Sequence, residues 1–167
     1  MSAVDASRRA LLKGRVRHEP AIRPPWAVPE PSFIEHCTRC GECLKACETQ
    51  IIRQGDGGYP EVDFSRGECT FCRACAEACP EPAFSRNEHS PPWNLSARIV
   101  DGCLGEQGVY CKSCGEVCEV GAIRFSFNAF RVPEPDVDSE ACNGCGACVA
   151  LCPVQVVEVM PAIEATS

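Results

Sequence analysis

Apolar residues come in short runs broken by turn signals. Ile51-Ile52 is followed by Gly55-Asp56-Gly57-Gly58 and then Val62-Asp63-Phe64, which predicts a short β-hairpin. Ala122-Ile123-Arg124-Phe125, a proline-rich turn and Val137-Asp138 predict a second hairpin by the same logic. No stretch approaches the roughly 18 consecutive apolar residues of a transmembrane helix, so none is expected.

Composition shows what these runs lack. Sixteen of the 167 residues are cysteine, and the 45% hydrophobic fraction counts them. Without them the apolar share is about 35%, below the ~45–50% usual for a globular domain. The 14 prolines and 13 glycines make the chain loop-rich without making it low-complexity. Something other than leucine and phenylalanine must fill the interior. The net charge of −7 argues against a protein that wraps nucleic acid. Residues 1–26 carry six basic and two acidic side chains, a net of +4, and the rest of the chain carries −11. The chain reads as a basic arm on an acidic, cysteine-rich body.

The cysteines fall into four motifs with none left over. Motif one is Cys37-x2-Cys40-x2-Cys43-x3-Cys47, and motif two is Cys69-x2-Cys72-x2-Cys75-x3-Cys79, followed by Pro80. Motif three is Cys103-x7-Cys111-x2-Cys114-x3-Cys118. Motif four is Cys142-x2-Cys145-x2-Cys148-x3-Cys152, followed by Pro153. Three cysteines at x2 spacing let a tight loop wrap three iron corners of a cube. The fourth, on the following helical turn, ligates the other cluster of a pair. Gly41, Gly144 and Gly146 are expected to let the loop approach the inorganic core. A disulfide framework has no reason to repeat this spacing. A tetrahedral zinc ion needs fewer cysteines on one loop. Motifs one, two and four therefore predict [4Fe–4S] ligands. Motif three is assigned a cluster because no other cysteine is free to complete it, with Cys103 as its outlying ligand.

The motifs also repeat. Cys40, Cys43 and Cys47 recur 71 residues later as Cys111, Cys114 and Cys118, and motif two recurs 73 residues later as motif four. Pro24-Pro25-Trp26 recurs as Pro91-Pro92-Trp93. Glu48 and Glu119 follow the fourth cysteine of motifs one and three, where motifs two and four have proline. A two-cluster unit that was doubled explains this alternation. Each half resembles a bacterial two-cluster ferredoxin, so the predicted fold is α+β. It consists of tandem duplicated ferredoxin-like domains, loop-rich, with a basic N-terminal arm. The expected boundaries are 1–30 for the arm, 31–84 for the first domain and 85–167 for the second. The crossing rule of such ferredoxins gives the sets Cys37/Cys40/Cys43/Cys79, Cys69/Cys72/Cys75/Cys47, Cys103/Cys111/Cys114/Cys152 and Cys142/Cys145/Cys148/Cys118. A nested pairing of outer with outer and inner with inner motifs is the alternative, and loop lengths do not separate the two.

Each oxidised cluster with its four thiolates carries −2, so four bring the formal charge from −7 to −15. That biases the potentials toward the low end of the range of about −700 to +450 mV that iron–sulfur centres span. Full ligation leaves no open iron for a substrate, and no nucleotide or flavin fingerprint is present. No catalytic residue is assigned. His36 is expected near a cluster or on the surface, and His18 and His89 sit in polar loops with no nucleophile beside them. Trp26 and Trp93 are expected to pack across the cluster domains. Ser7-Arg8-Arg9-Ala10-Leu11-Leu12-Lys13 opens like a twin-arginine export signal. The charged sequel Gly14-Arg15-Val16-Arg17-His18-Glu19-Pro20 lacks the apolar segment of such a signal. The arm is therefore expected to stay in the cytoplasm and to contact an acidic surface. A pseudo-signal bound by a partner is the alternative.

Asp5-Ala6-Ser7-Arg8-Arg9, Ile22-Arg23-Pro24-Pro25-Trp26, His36-Cys37-Thr38-Arg39-Cys40, Gly57-Gly58-Tyr59-Pro60 and Cys142-Asn143-Gly144-Cys145-Gly146-Ala147-Cys148 together resemble the NapF family. Its members are ferredoxin-type proteins encoded with the periplasmic nitrate reductase. The resemblance implies a cytoplasmic protein with four [4Fe–4S] clusters. It also implies a role in maturation or redox activation of the nitrate reductase catalytic subunit before export. A general low-potential electron carrier for another reductase, or an iron–sulfur scaffold, is the alternative.

Overall fold

The structure is a computed structural model that describes residues 21–87 and 89–162. The basic segment up to residue 20, with its twin-arginine-like run and His18, lies outside the described residues.

The first half begins with α1 (Glu30–His36), which has a proline in its first turn and buries Phe33 completely. Motif one follows, and α2 (Glu42–Ala46) grows out of it. The predicted hairpin is β1 (Ile52–Gln54) against β2 (Pro60–Val62), antiparallel with Ile52 opposite Val62. Its turn runs through Gly57 and Gly58 at φ 69° and 83°. Phe64, expected in the strand, instead starts a 3₁₀ turn, Phe64–Arg66. Asp63 caps that turn: its Oδ1 accepts from the Ser65 backbone N–H at 3.1 Å and the Ser65 hydroxyl at 2.6 Å. Motif two then leads into α3 (Ala74–Glu77).

The second half repeats this plan at greater length. It has β3 (Leu95–Ile99), motif three with α4 (Ser113–Glu116), β4 (Ile123–Phe127), β5 (Pro133–Val137), motif four with α5 (Ala147–Ala150), and β6 (Val157–Pro161). The stretch expected as a proline-rich turn is strand β5, paired antiparallel with β4. The flanking bonds Asp138 N–H to Ala122 O and Asn128 N–H to Val132 O fall on even-numbered residues of the strand. Pro133 and Pro135 therefore take the alternate positions, where no N–H is needed. The actual turn is at Asn128, whose Oδ1 accepts from Phe130 and Val132 N–H.

Hydrogen bonding confirms the duplication residue by residue. The Val28 N–H bonds Ala83 O at 3.0 Å, and Val100 N–H bonds Val156 O at 2.9 Å. Asp63 N–H bonds Ile51 O at 2.7 Å, and Asp138 N–H bonds Ala122 O at 2.8 Å. The five-residue pairing of β3 with β6 shrinks in the first half to one bridge, Ala27–Phe84. Residues 22–28, assigned by sequence to the arm, are thus bonded into the first half. Ile22 O accepts from Val62 N–H at 2.8 Å, and Trp26 is 7% exposed.

Each sheet has two strands, which alone is marginal in water. Two small apolar cores back them, one around Phe33, Ile51, Phe64 and Phe84, the other around Ala97, Ile123 and Val157. Buried cysteines belong to both: Cys43 and Cys75 to the first, Cys148 to the second.

Candidate iron–sulfur centres

None of the sixteen cysteines is joined in a disulfide. The third cysteine of each motif (Cys43, Cys75, Cys114, Cys148) lies in a short helix. The fourth follows it, and each turn closes on itself, as in Cys47 N–H to Leu44 O and Cys118 N–H to Gly115 O.

The loops between ligands need left-handed backbone. In motifs one, two and four the residues two and four positions after the first cysteine have positive φ: Arg39 and Gly41, Phe71 and Arg73, Gly144 and Gly146. Three of these six are not glycine, and a left-handed residue with a side chain costs about 1–2 kcal/mol. Their side chains find partners. Arg39 stacks over Tyr59, Arg73 stacks over Trp26 with 4.5 Å to the ring centroid, and Phe71 packs edge-on against Trp93. Gly144 and Gly146 also leave room for side chains from elsewhere in the chain. A methyl on Gly144 would strike Trp93 and Leu95, and one on Gly146 would strike the Phe64 ring. Gly41 has open space around it. Motif three departs from the rule, since Tyr110 and Lys112 in the corresponding places have no positive φ; its glycines at positive φ are Gly108, in the x7 insertion, and Gly102, just before Cys103.

Two cavities are each lined by four cysteines. Cys37, Cys40, Cys43 and Cys79 surround one, together with Phe33, Leu44 and Phe84. Cys103, Cys111, Cys114 and Cys152 surround the other, with Ile99, Leu104 and Val157. Among the described residues no three His, Cys, Asp or Glu side chains converge as a single metal ion requires. Quartets spread around a cavity suit a polynuclear core instead.

Thiol electrostatics follow the same neighbourhoods. Burial, then the neighbours Cys37, Cys79 and Cys40, push the Cys43 thiol up to about 12. Burial and then Cys69, Cys43, Cys47 and Cys72 push Cys75 to about 12. Burial, with Cys103 and Cys111, pushes Cys114 to about 11. Burial, with Cys145, Cys142 and Cys114, pushes Cys148 to about 12. Buried thiols this reluctant to ionise become thiolates when iron supplies the compensating charge.

Backbone donors already aim at sulfur. Phe71 N–H points at Cys69 Sγ (3.4 Å), Ala97 at Cys142 (3.4 Å), Ala122 at Cys118 (3.3 Å) and Val156 at Cys152 (3.5 Å). Such bonds stabilise thiolate charge and tune the potential of a centre. Strands β3 and β6, which supply or flank two of these donors, were not read from sequence. Their signal is the alternation Leu95-Ser96-Ala97-Arg98-Ile99 against Val157-Glu158-Val159.

Of the histidines, His36 is half-buried at the end of α1 and His89 is exposed. Trp26 Nε1 donates to Ser90 O at 3.0 Å, and Trp93 Nε1 to Asn143 O at 3.0 Å. Both bonds reach between segments that belong to different parts of the duplicated plan. No helix among the described residues is long and apolar enough to cross a membrane.

The family model for a 4Fe–4S dicluster domain matches twice, over residues 36–83 and 109–156. Two dicluster domains imply four [4Fe–4S] clusters. The second match starts after Cys103, the cysteine displaced by the x7 insertion. The matched model describes a cluster-binding domain and no catalytic activity. The chain is 48% identical to the ferredoxin-type protein NapF of Escherichia coli K12 over 155 residues, 92% of this chain and 94% of that protein. It is 46% identical to NapF of Haemophilus influenzae over 136 residues, 81% of this chain and 77% of that one. The methylamine utilization ferredoxin-type protein MauM of Methylorubrum extorquens is 32% identical over 149 residues, 79% of this chain and 68% of that protein. Duplicated cysteine loops, two four-cysteine cavities and a match along nearly the whole chain lead to one conclusion: the chain belongs to the NapF family of ferredoxin-type 4Fe–4S proteins.

Proposed function

We propose that this chain is a cytoplasmic accessory protein of the periplasmic nitrate reductase. It would act on the catalytic subunit before export, assembling or reducing that subunit's iron–sulfur or molybdenum centre. The observation that carries this reading is the match to NapF along 92% of the chain. The sixteen cysteines would hold the clusters in the adjacent sets. Support for two sets comes from the cavities lined by Cys37/Cys40/Cys43/Cys79 and by Cys103/Cys111/Cys114/Cys152. For Cys69/Cys72/Cys75/Cys47 it comes from the influence of Cys69, Cys47 and Cys72 on Cys75, beside which Cys43 of the neighbouring set also lies, and for Cys142/Cys145/Cys148/Cys118 from that of Cys142 and Cys118 on Cys145. A nested pairing would place Cys47 beside motif four and Cys79 beside motif three, whereas Cys47 influences Cys69 and Cys79 influences Cys43.

Bound clusters supply one-electron chemistry. The chain's own part is to give up thiol protons, direct N–H groups at the sulfurs, and present the assembly to its client. The similarity to MauM favours a second reading, a general low-potential electron-transfer ferredoxin serving another redox enzyme; an iron–sulfur scaffold is a third.

The test is an anaerobic pull-down of the nitrate reductase catalytic subunit with the arm present and with residues 1–20 removed. The deletion stops there because Ile22 is bonded to Val62, and Trp26 to Ser90 and Pro92. Capture that depends on the arm, with the client reduced and iron retained on this protein, is the expected result. Transfer of iron to the client selects the scaffold reading. Failure to capture the client with the arm intact refutes the accessory role.

A further inference from the structure

We infer that the junction between the two halves is a built electron crossing that joins the cluster sites of motifs two and four. The four centres then form one line in the order motif one, motif two, motif four, motif three. This rests on the ligand sets proposed above.

The order is read from packing. Helix α2, which carries Cys43, packs against α3, which carries Cys75. Helix α4, with Cys114, packs against α5, with Cys148. Those contacts join neighbours within a half. Between the halves, α5 packs on the 3₁₀ turn Phe64–Arg66. The two ligand loops themselves meet there: the backbone N–H of Cys69 donates to the carbonyl of Cys145 at 2.8 Å. No such bond is needed to hold two independent cluster pairs. It makes a ligand residue of one half the direct neighbour of a ligand residue of the other.

The junction is also shaped to stay closed. Trp93 stands edge-on to Phe64 and Phe71, both at 5.8 Å, while its Nε1 holds Asn143 O of motif four. Gly144 and Gly146 are buried and leave room for Trp93 and Phe64 where any side chain would collide. Val149 and Val159 of the second half pack on the core of the first. Aromatic rings, apolar side chains and one backbone hydrogen bond thus occupy the space between the inner sites.

Each hop moves one electron. A reduced core returns from 1+ to 2+ as its neighbour goes from 2+ to 1+. One electron enters the line from a low-potential one-electron donor and one leaves to a one-electron acceptor. At the ends of the line, Cys40 of motif one is exposed, and the motif-three loop exposes Val109 and Tyr110.

Electron paramagnetic resonance of the anaerobic, dithionite-reduced full chain tests this. Cys40→Ala with Cys111→Ala empties both end sites and leaves half the wild-type iron, one cluster in each half. Their signals are expected to be broadened by mutual spin coupling. Cys72→Ala with Cys145→Ala also leaves half the iron, at opposite ends, and is expected to give narrow, independent signals. Narrow signals from the first variant, or broadened ones from the second, would overturn the order. Iron loss that does not follow these halves is a failure of the ligand sets instead. The junction is then decided on the Trp93→Ala chain at full iron. A spectrum narrower than wild type supports the crossing, and an identical one refutes it.

Discussion

Gly41 and Gly146 form a matched pair that isolates the energetic worth of the junction. Both stand four residues after the first cysteine of their motif and precede a short helix, at φ 80° and 83°. Alanine at either position takes on the left-handed penalty of about 1–2 kcal/mol, offset by about 0.4–1 kcal/mol of lost unfolded-state freedom. At Gly41 nothing lies within 4 Å of the new methyl, so the net cost is roughly 0–1.6 kcal/mol. At Gly146 the methyl lands on the Phe64 ring, which adds about 1–3 kcal/mol of overpacking. Carried into the unfolding barrier, that difference shortens the lifetime of Gly146→Ala roughly 5- to 150-fold relative to Gly41→Ala. The assay is the anaerobic half-life of the visible cluster absorbance at a fixed elevated temperature, a kinetic readout suited to irreversible cofactor loss. A double-mutant cycle completes it, because in a Phe64→Ala background the extra cost of Gly146→Ala is expected to vanish. Equal half-lives for the two alanine variants, or a penalty that persists without Phe64, would refute the packing argument.

Cys103→Ala is expected to lose a quarter of the bound iron, as Cys111→Ala does; full retention in Cys103→Ala would remove Cys103 from the ligand set. In the apoprotein, Cys43, Cys75 and Cys148, with thiols near 12, are expected to be alkylated last, and the exposed Cys40 and Cys72 first. The thiolate fraction of the buried three is about 10³ below that of an ordinary thiol, reduced to roughly 30-fold in rate by their higher nucleophilicity. Peptide mass spectrometry reads the order, and uniform labelling would contradict it. The same thiols set opposite pH trends. Their pKa values are raised in the folded apoprotein, so its stability is intact below pH 9 and falls as pH climbs from about 9 to about 12. Cluster retention needs thiolates and is expected to fall in acid, as iron release to a chelator would show.

The cluster chemistry was legible because ligand spacing is local: a loop that wraps a cube fixes x2 steps whatever the rest of the chain does. The same locality made the first hairpin readable from Ile51-Ile52 and the Gly57-Gly58 turn. Long-range pairings left weaker traces. β3 and β6 lie some 60 residues apart and each offers one short alternating run. Ile22–Val28 looked like part of the arm because its anchors, Val62, Ala83 and Pro92, are distant in sequence. Prolines at 133 and 135 suggested a turn, since composition does not reveal which edge of a strand faces its partner. Nor does spacing reveal that Trp93 and Phe64, from far upstream, pack beside the glycines of motif four.

The fit of Phe64 over Gly146 makes the two halves unequal despite their shared plan. The bonds of Asp63 and Asp138 place Ser139 in the second half where Phe64 stands in the first. Ser139 is small and exposed. The first half carries a protruding ring and the second a recess. The Phe64 contact that joins the halves is therefore asymmetric, with no equivalent ring at the matching place of the second half.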